Sequence, residues 1–462
     1  MRAVVMKFGG SSVVDATAIG RVMRIVTAER DRGSVPVVVV SALGGVTDRL
    51  LGLADAARLG HAAEVDAGVS QLLQRHLTEA EALGATAQDA SLAPALETQF
   101  AHLRSLLQAV EDCRAAEPRQ LDAIAAAGEL LSSRLVAAAM IAAGLPAVWV
   151  DARDVVCTDG RHTSAAPLTD QIRTASQARV APLVAAGSIA VLGGFVGRAP
   201  DGSTTTLGRG GSDYSAALVG AGIDAAEIQI WTDVDGMLTA DPRVVDDAEV
   251  VPHLSFAEAA ELAYFGAKVL HPSTIFPAVA RNIPVRILNS HRPEAKGTLI
   301  TADAPSAQRS FAALACKRGI TILDITSTRM LMAHGFLRKV FEVFDRYETA
   351  VDVVTTSEVS VSVTIDDSRR GADIVAALLE FADVTVEEQM ALLAVVGDRL
   401  TTHSALAARV VGALTSFPLR MVSQAASRRN VTIVLPEASL AAAMTHLHRE
   451  LFVSTFAGES RG

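Results

Sequence analysis

Hydrophobic and polar positions follow two periods in the first half of the chain. Short apolar, β-branched runs at Ala3–Phe8 and Val35–Ser41 flank a stretch, Thr17–Arg30, whose apolar positions recur at helical spacing. Such neighbours predict strand-helix-strand units. Residues 50–145 are rich in Ala, Leu, Glu and Gln with apolar positions three and four apart, as at Leu103, Leu106, Leu107 and Val110, which predicts several helices. Strands are predicted again at Val148–Val150, Ser188–Leu192, Ile228–Trp231 and Ile283–Leu288. This rhythm predicts a mostly parallel sheet covered by helices, where ligands collect beyond the carboxyl ends of the strands. Those ends carry Gly9-Gly10-Ser11-Ser12, Ser41-Ala42-Leu43-Gly44-Gly45, Gly193-Gly194-Phe195 and Thr232-Asp233, four small turns expected on one rim.

The pattern breaks at Thr301-Ala302-Asp303-Ala304-Pro305-Ser306, a small, turn-forming run that predicts a domain boundary. Beyond it a unit repeats. Its first copy has a strand at Ile320–Ile325, a helix at Phe336–Tyr347, strands at Val351–Thr355 and Val359–Ile365, and a helix at Ala372–Leu379. The second runs Leu392–Val396, Ser404–Leu414, Leu419–Ser423, Val431–Leu435 and Ser439–Leu451. The order strand-helix-strand-strand-helix, twice, resembles paired ACT modules, small ferredoxin-like domains that bind amino acids at their interfaces. By pattern alone, a duplicated structural or dimerisation module fits equally.

At 462 residues the chain is long enough for two or three domains. Its 51 acidic and 41 basic residues give a net charge of −10, and no Lys/Arg cluster stands out. That argues against nucleic acid or an anionic membrane as partner, so an anionic ligand must be met by local charge. The apolar run at the amino end is too short for a signal peptide and the longest later one, Val37–Val40, is strand-sized, which predicts a cytoplasmic protein. Cys113, Cys157 and Cys316 have no paired spacing, so neither a disulfide framework nor a zinc site is indicated; buried or partly buried thiols are expected.

The densest chemistry lies in Thr204-Thr205-Thr206-Leu207-Gly208-Arg209-Gly210-Gly211-Ser212-Asp213, followed by a helix predicted at Tyr214–Val219. Glycines let backbone N–H groups approach an anion, and the helix start adds its positive end. The run fits neither a P-loop nor G-x-G-x-x-G. An anion site and a glycine-rich surface turn are equally supported by this loop alone. Lys7 ends the first strand just before Gly9-Gly10-Ser11, where a phosphate would meet an ammonium and backbone donors together. A lone strand-end lysine would be read as solvated.

Lys7 is not alone. Lys7-Phe8-Gly9-Gly10-Ser11, Gly193-Gly194-Phe195-Val196-Gly197-Arg198, the Thr204–Asp213 run, Ile230-Trp231-Thr232-Asp233-Val234-Asp235-Gly236, Asp241-Pro242-Arg243 and Phe265-Gly266-Ala267-Lys268-Val269-Leu270-His271-Pro272 follow in order. Together they closely resemble the aspartate kinases of the amino acid kinase family. The resemblance spans the whole chain and is greatest to the monofunctional, lysine-sensitive type, with no second activity implied. It implies an α/β fold: a carbamate kinase-like three-layer α/β/α catalytic domain over 1–300, then two ferredoxin-like ACT domains over 310–385 and 386–462, with exchange of strands between them allowed.

The resemblance further implies ATP-dependent phosphorylation of the L-aspartate side-chain carboxylate, the first step toward lysine, threonine and methionine. Such a transfer brings two anions together, so the protein must supply positive charge and in-line positioning, and a carboxylate nucleophile needs no general base. Lys7, Arg209 and Asp213 take the catalytic positions. Lys7 would lie against the β- and γ-phosphates, and Arg209 can clamp the α-carboxylate bidentately. Glu129 matches the glutamate that meets the substrate amine; Thr47, Phe195, Ser212 and Asp213 also match substrate-side positions. Gly9, Gly10 and Ser11 would cover the triphosphate, and Thr232, Asp233, Arg243 and Lys268 match ATP contacts. Leu238 stands where the family often has tyrosine, which removes aromatic stacking near the nucleotide.

Met330, Gly335, Val351, Asp352, Ser357 and Glu358 fall in segments that resemble the effector-binding stretches of lysine-sensitive enzymes. Asp352 could pair with the effector ammonium, lysine or alternatively threonine; Ala333 and Ala350 replace small hydroxyls common there. Asp233-Val234-Asp235-Gly236 lacks the later spacing of a calcium loop, His271 reads as structural, and no protein metal cage is visible; magnesium would arrive with ATP. A homodimer or higher oligomer through the ACT domains is expected. The rival readings are a kinase for glutamate or another carboxylate, and a catalytically silent amino-acid sensor.

Overall fold

The computed structural model describes residues 2–266, 272–303, 310–327, 335–398, 400, 403–424 and 428–453. They form two compact units, one of Met1–Met237, Pro252–Phe256 and Val269–Ala304, the other of Leu238–Val251, Ala257–Lys268 and Pro305–Gly462.

Ten strands belong to the first unit: β1 (Arg2–Phe8), β2 (Ser34–Val40), β3 (Ala147–Trp149), β4 (Ile189–Gly193), β5 (Val196–Arg198), β6 (Thr204–Thr206), β7 (Glu227–Thr232), β8 (His253–Ser255), β9 (Val285–Asn289) and β10 (Thr298–Thr301). Eight make one sheet in the order β3-β4-β2-β1-β7-β9-β10-β8, and β5 with β6 is a separate hairpin. Every pairing in the large sheet is parallel except that of β10 with β9. Both faces are covered. Val4, Met6 and Phe8 of β1 join a core with Ile19, Val22, Leu50, Leu103 and Leu131 from the helical side. On the other face, Gly220 of the helix Gly211–Gly222 comes so near that a Cβ there would lie 3.5 Å from Val5 and 2.8 Å from Ile228. Two covered faces explain why β1 and β2 read as unbroken apolar runs.

The expected parallel sheet is therefore present, and the helices expected between 50 and 145 are Val46–Leu59, Ala62–Ala82, Ala85–Gln88, Leu92–Cys113 and Pro118–Ala142. Thr204–Thr206, expected as loop, is a strand because it pairs with Val196–Arg198. Its helix begins at Gly211, not Tyr214. Pro118–Ala142 is the one described helix long and apolar enough to cross a membrane, yet 89% of its apolar window is buried within the fold, as befits a core helix. Cys157 and Cys316 are partly buried as expected; Cys113, the last residue of its helix, is exposed.

The second unit holds β11 (Ala313–Thr326), β12 (Val354–Thr356), β13 (Ser360–Ile365), β14 (Asp383–Val396), β15 (Met421–Ser423) and β16 (Asn430–Pro436) in one antiparallel sheet, ordered β12-β13-β11-β14-β16-β15. Helices Phe336–Arg346, Gly371–Leu379, Ser404–Ala413 and Glu437–His448 accompany it. The repeat is visible in the pairing, but its two long strands exceed the expected ones. Ala313–Lys317, ahead of the first repeat, pair with Leu392–Val396 of the second, while Ile322–Thr326 pair with Asp383–Glu387. The extension of β14 is exposed or half-exposed over Asp383–Gln389, and its apolar alternation is short, confined to Val384 and Val386.

One buried group in the helical layer makes stability depend on pH. His76 is fully buried, its Nδ1–H donates to the Leu72 carbonyl at 2.7 Å, and its Nε2 has no partner. Burial pushes its pKa from 6.5 down to about 4. The unfolded chain therefore takes up a proton as pH falls below 6.5 while the folded one does not, so stability present above that pH is lost between 6.5 and 4. The loss reaches on the order of 3 kcal/mol. In His76→Leu the fall in Tm from pH 7 to pH 5 should be smaller than in the parent; an unchanged slope would place the acid sensitivity elsewhere.

Candidate functional site

Lys7 lies one residue before the end of β1, in register with Val39 of β2 and Ile230 of β7, at the carboxyl edge of the sheet. Its Nζ stands 2.7 Å from Oδ1 of Asp213, and both side chains are largely buried. Asp213 occupies the first turn of the helix Gly211–Gly222, where a carboxylate complements the helix dipole. That helix begins after Gly210, left-handed at φ +71°, with no side-chain cap; the Gly211 amide donates to the Gly208 carbonyl at 3.0 Å, and the amides of Ser212 and Asp213 that follow can meet a ligand.

Short contacts bring the neighbouring segments together. Ser41 Oγ donates to Ser212 Oγ at 3.0 Å, Ser132 Oγ donates to the Ser41 carbonyl at 2.8 Å, and the Ser41 amide donates to the Phe8 carbonyl at 3.0 Å. A Cβ on Gly194 would meet Ser212 at 2.6 Å and one on Gly193 would meet the Glu129 carbonyl at 2.8 Å, so only glycine lets the end of β4 approach both helices. Phe195 follows at φ +65°, an uncommon conformation for a bulky residue, held by its amide donating to Ser215 Oγ at 2.9 Å.

These segments enclose a cavity of about 290 Å³ lined by Lys7, Thr47, Glu129, Phe195, Ser212 and Asp213, together with Ser41, Gly208, Gly210 and Gly211. Six residues expected from sequence thus share one cavity. Glu129 is 4% exposed, and its Oε2 is buried without a hydrogen-bond partner. Burial pushes its carboxyl up to about 8, against the lowering effect of the Ala42 amide. A buried acceptor without a donor suits a ligand that brings an N–H group. Arg209 behaves differently. It is exposed, outside the cavity wall, between two glycines that line it.

The phosphate-side residues gather on the same rim. The Gly9 amide donates to the Trp231 carbonyl at 3.3 Å, which places Gly9, Gly10 and Ser11 beside Thr232 and Asp233. Ser12 Oγ donates to Ser290 Oγ at 2.8 Å, and Ser290 Oγ donates to the Thr232 carbonyl at 3.1 Å. Ser290 was not anticipated; its place just after β9 on that rim was the available signal. Arg243 belongs to the second unit, is exposed, and is held by Asp241 at 2.7 Å. Leu238 forms an isolated bridge with Val250. Lys268, His271 and Met330 lie outside the described residues. Among the described residues no group of three His, Cys, Asp or Glu side chains could hold a metal ion.

Of the effector-side residues, Gly335 adopts φ +86° and precedes the helix Phe336–Arg346, Val351 is half-buried, and Ser357 and Glu358 are exposed beside β12. Ser357 Oγ lies 2.7 Å from Ser360 Oγ. Asp352 already has a cation. Lys317 Nζ lies 2.7 Å from its Oδ1 and 3.1 Å from Oδ2 of Asp366, and sits 4.6 Å from the centre of the Tyr264 ring. The Tyr264 hydroxyl donates to the same Asp352 oxygen at 3.0 Å, and Asp352 Oδ2 stays buried without a partner.

Known proteins share this architecture. The amino acid kinase family matches residues 2–289, and the ACT domain matches 393–451. Lysine-sensitive aspartokinase 3 of Escherichia coli K12 is 35% identical over 97% of this chain and 99% of its own length. The chloroplastic aspartokinase 3 of Arabidopsis thaliana is 36% identical over 97% of this chain and 81% of its own length. The crystal structure of E. coli aspartokinase III in complex with aspartate and ADP (R-state) superposes with a TM-score of 0.83 at 35% identity, over 97% of this chain and 100% of that one. Its complex with lysine and aspartate (T-state) gives 0.82 over 97% and 99%.

Proposed function

This chain belongs to the amino acid kinase family, among the aspartokinases, and on that premise we propose that it transfers the γ-phosphoryl group of ATP to the side-chain carboxylate of L-aspartate. The observation that carries the reading is the one cavity lined by Lys7, paired with Asp213, and by a buried Glu129 whose Oε2 has no hydrogen-bond partner. A substrate ammonium completes Glu129. Its α-carboxylate goes to the start of the helix Gly211–Gly222, with Arg209 as the bidentate clamp. The side-chain carboxylate then points toward Lys7. Gly9, Gly10, Ser11, Thr232 and Asp233 receive the nucleotide, and Thr47 and Phe195 wall the acid.

One carboxylate oxygen attacks the γ-phosphorus as the bond to the β-phosphate oxygen breaks, giving 4-phospho-L-aspartate and ADP. Lys7 leaves Asp213 for the transferring phosphoryl group and neutralises charge that grows on its oxygens. Magnesium bound with ATP would supply further neutralisation of the phosphates. A cytoplasmic setting in amino-acid biosynthesis suits this chemistry. Purified protein with MgATP, L-aspartate and hydroxylamine should yield aspartyl hydroxamate. If glutamate or another acid is trapped in its place, the substrate assignment fails; if none is trapped, a silent sensor is the better account.

Regulation follows from the second unit. We expect an amino-acid effector, lysine before threonine, to bind near Asp352, and a homodimer or larger oligomer formed through this unit. An incoming ammonium must compete with Lys317, which holds the carboxylate as a tethered cation. Lys317→Met should therefore lower the lysine concentration giving half-inhibition by about tenfold, the scale of one charge-assisted hydrogen bond. Asp352→Ala should relieve inhibition. Equal inhibition curves for both variants and the parent, each scaled to its own uninhibited rate, would put the effector elsewhere.

A further inference from the structure

Asp122 is a buried carboxylate that the mechanism does not use. It is 1% exposed, on the helix Pro118–Ala142 that also carries Glu129 seven residues on, two turns along the same side. Three donors converge on it. Thr206 Oγ1–H reaches Oδ1 at 2.5 Å, the Thr163 amide reaches both oxygens at 3.0 Å, and His162 Nδ1 stands 2.7 Å from Oδ2. A carboxylate withdrawn this far from water persists only when its lone pairs are met, and here two separate segments, His162-Thr163 and the end of β6, meet them.

Both segments frame the glycine run that borders the cavity. Thr206 ends β6, and Gly208, Gly210 and Gly211 just beyond line the cavity. The Ala165 amide donates to the Thr206 carbonyl at 2.9 Å, and a Cβ on Gly208 would touch the Thr163 carbonyl at 3.6 Å, so residues 163–165 lie directly against this run. Thr163 itself adopts φ +71°, an outlier for a β-branched residue, and its amide is the one bound by both oxygens of Asp122. Strain of this kind survives where surrounding bonds over-determine it and tends to cluster at ligand sites.

We propose that Asp122 is a positioning residue for the acceptor amino acid: it ties the Thr206–Gly211 run to the helix bearing Glu129, and so fixes where the α-carboxylate is held relative to the α-ammonium. The proposal rests on the aspartate reading above. Glu129 and the glycine run belong to segments far apart in sequence, and Asp122 spans them through the Thr206 hydroxyl. Freed from it, Gly208–Gly211 and the Arg209 between them would no longer stand at one distance from Glu129, and binding of the amino acid would suffer before binding of ATP.

The test measures hydroxamate formation by the full chain with each substrate varied in turn. Asp122→Asn keeps the shape but sets an amide nitrogen against the Thr163 amide; Thr206→Val removes only the hydroxyl; Thr206→Ser restores it. Asp122→Asn and Thr206→Val should each raise KM for aspartate about tenfold, the scale of one hydrogen bond to a charged group, while KM for ATP stays within about twofold. Thr206→Ser should behave like the parent. A purely structural role predicts lower Tm or active fraction with both KM values unchanged, and that result overturns the proposal, as would a parallel rise in both. Should Asp122→Asn fail to fold, the two Thr206 variants decide the matter alone. Loss of the parent's activity toward aspartate would strike the substrate assignment instead.

Discussion

Lys7→Ala should lower kcat by about 10³-fold or more with the fold retained, the scale seen when a cation is withdrawn from a phosphoryl transition state. Lys7 is the cation at the cavity wall, and its neighbour Gly9 leaves a Cβ position 3.5 Å from its Nζ open for a ligand. Its charge is balanced by Asp213. Bringing in a γ-phosphate replaces that partner with one whose charge grows during transfer, so the ammonium stabilises the transition state more than the ground state. The loss should therefore fall on kcat more than on either KM. Lys7→Arg should not rescue, because a planar fork cannot replace a compact ammonium beside the glycine turn. Removing Lys7 also leaves Asp213 buried without its partner, so Tm should be measured in parallel. Near-normal turnover by a folded Lys7→Ala protein would remove Lys7 from the mechanism.

The cavity was legible largely because its residues follow strand ends. Lys7, Ser41, Gly193-Gly194-Phe195 and Thr232-Asp233 each come directly at or after a parallel strand, and a parallel sheet delivers such ends to one rim whatever the loops do. The helix glutamate at position 129 came from resemblance, since an isolated helical glutamate gives no local sign that it is buried. Asp122 gave none for the same reason; its partners are 40 and 84 residues away. The tethered cation at Asp352 was equally invisible, because Lys317 and Tyr264 lie 35 and 88 residues from it and meet it only through tertiary folding. In the antiparallel sheet the halves of β11 and β14 beyond the expected strands are held by long-range pairing with each other. Local pattern reads what local physics sets, and these contacts are set by the rest of the fold.

Glu129→Gln should cut kcat/KM for aspartate by about 10²-fold, the order expected when a desolvated ammonium loses a charged partner worth about 3 kcal/mol. Its pH dependence is the sharper signature. Burial holds the free carboxyl near 8, so at neutral pH most molecules carry a protonated Glu129 that cannot pair with an ammonium. Because kcat/KM reports groups of the free enzyme, it should climb as pH rises toward 8 and level off above it. Glu129→Gln should lose that climb. Stability should move the opposite way. A pKa raised from 4.5 to about 8 means that stability is complete below 4.5 and is lost as pH rises from there through 8, by on the order of 5 kcal/mol once both states are ionised. Glutamine carries no such cost, so the variant should melt higher than the parent at pH 9 while binding aspartate worse. A buried carboxylate kept at the expense of stability is what an amine-binding site requires, and a variant that loses both Tm and activity at pH 9 would show Glu129 to be structural.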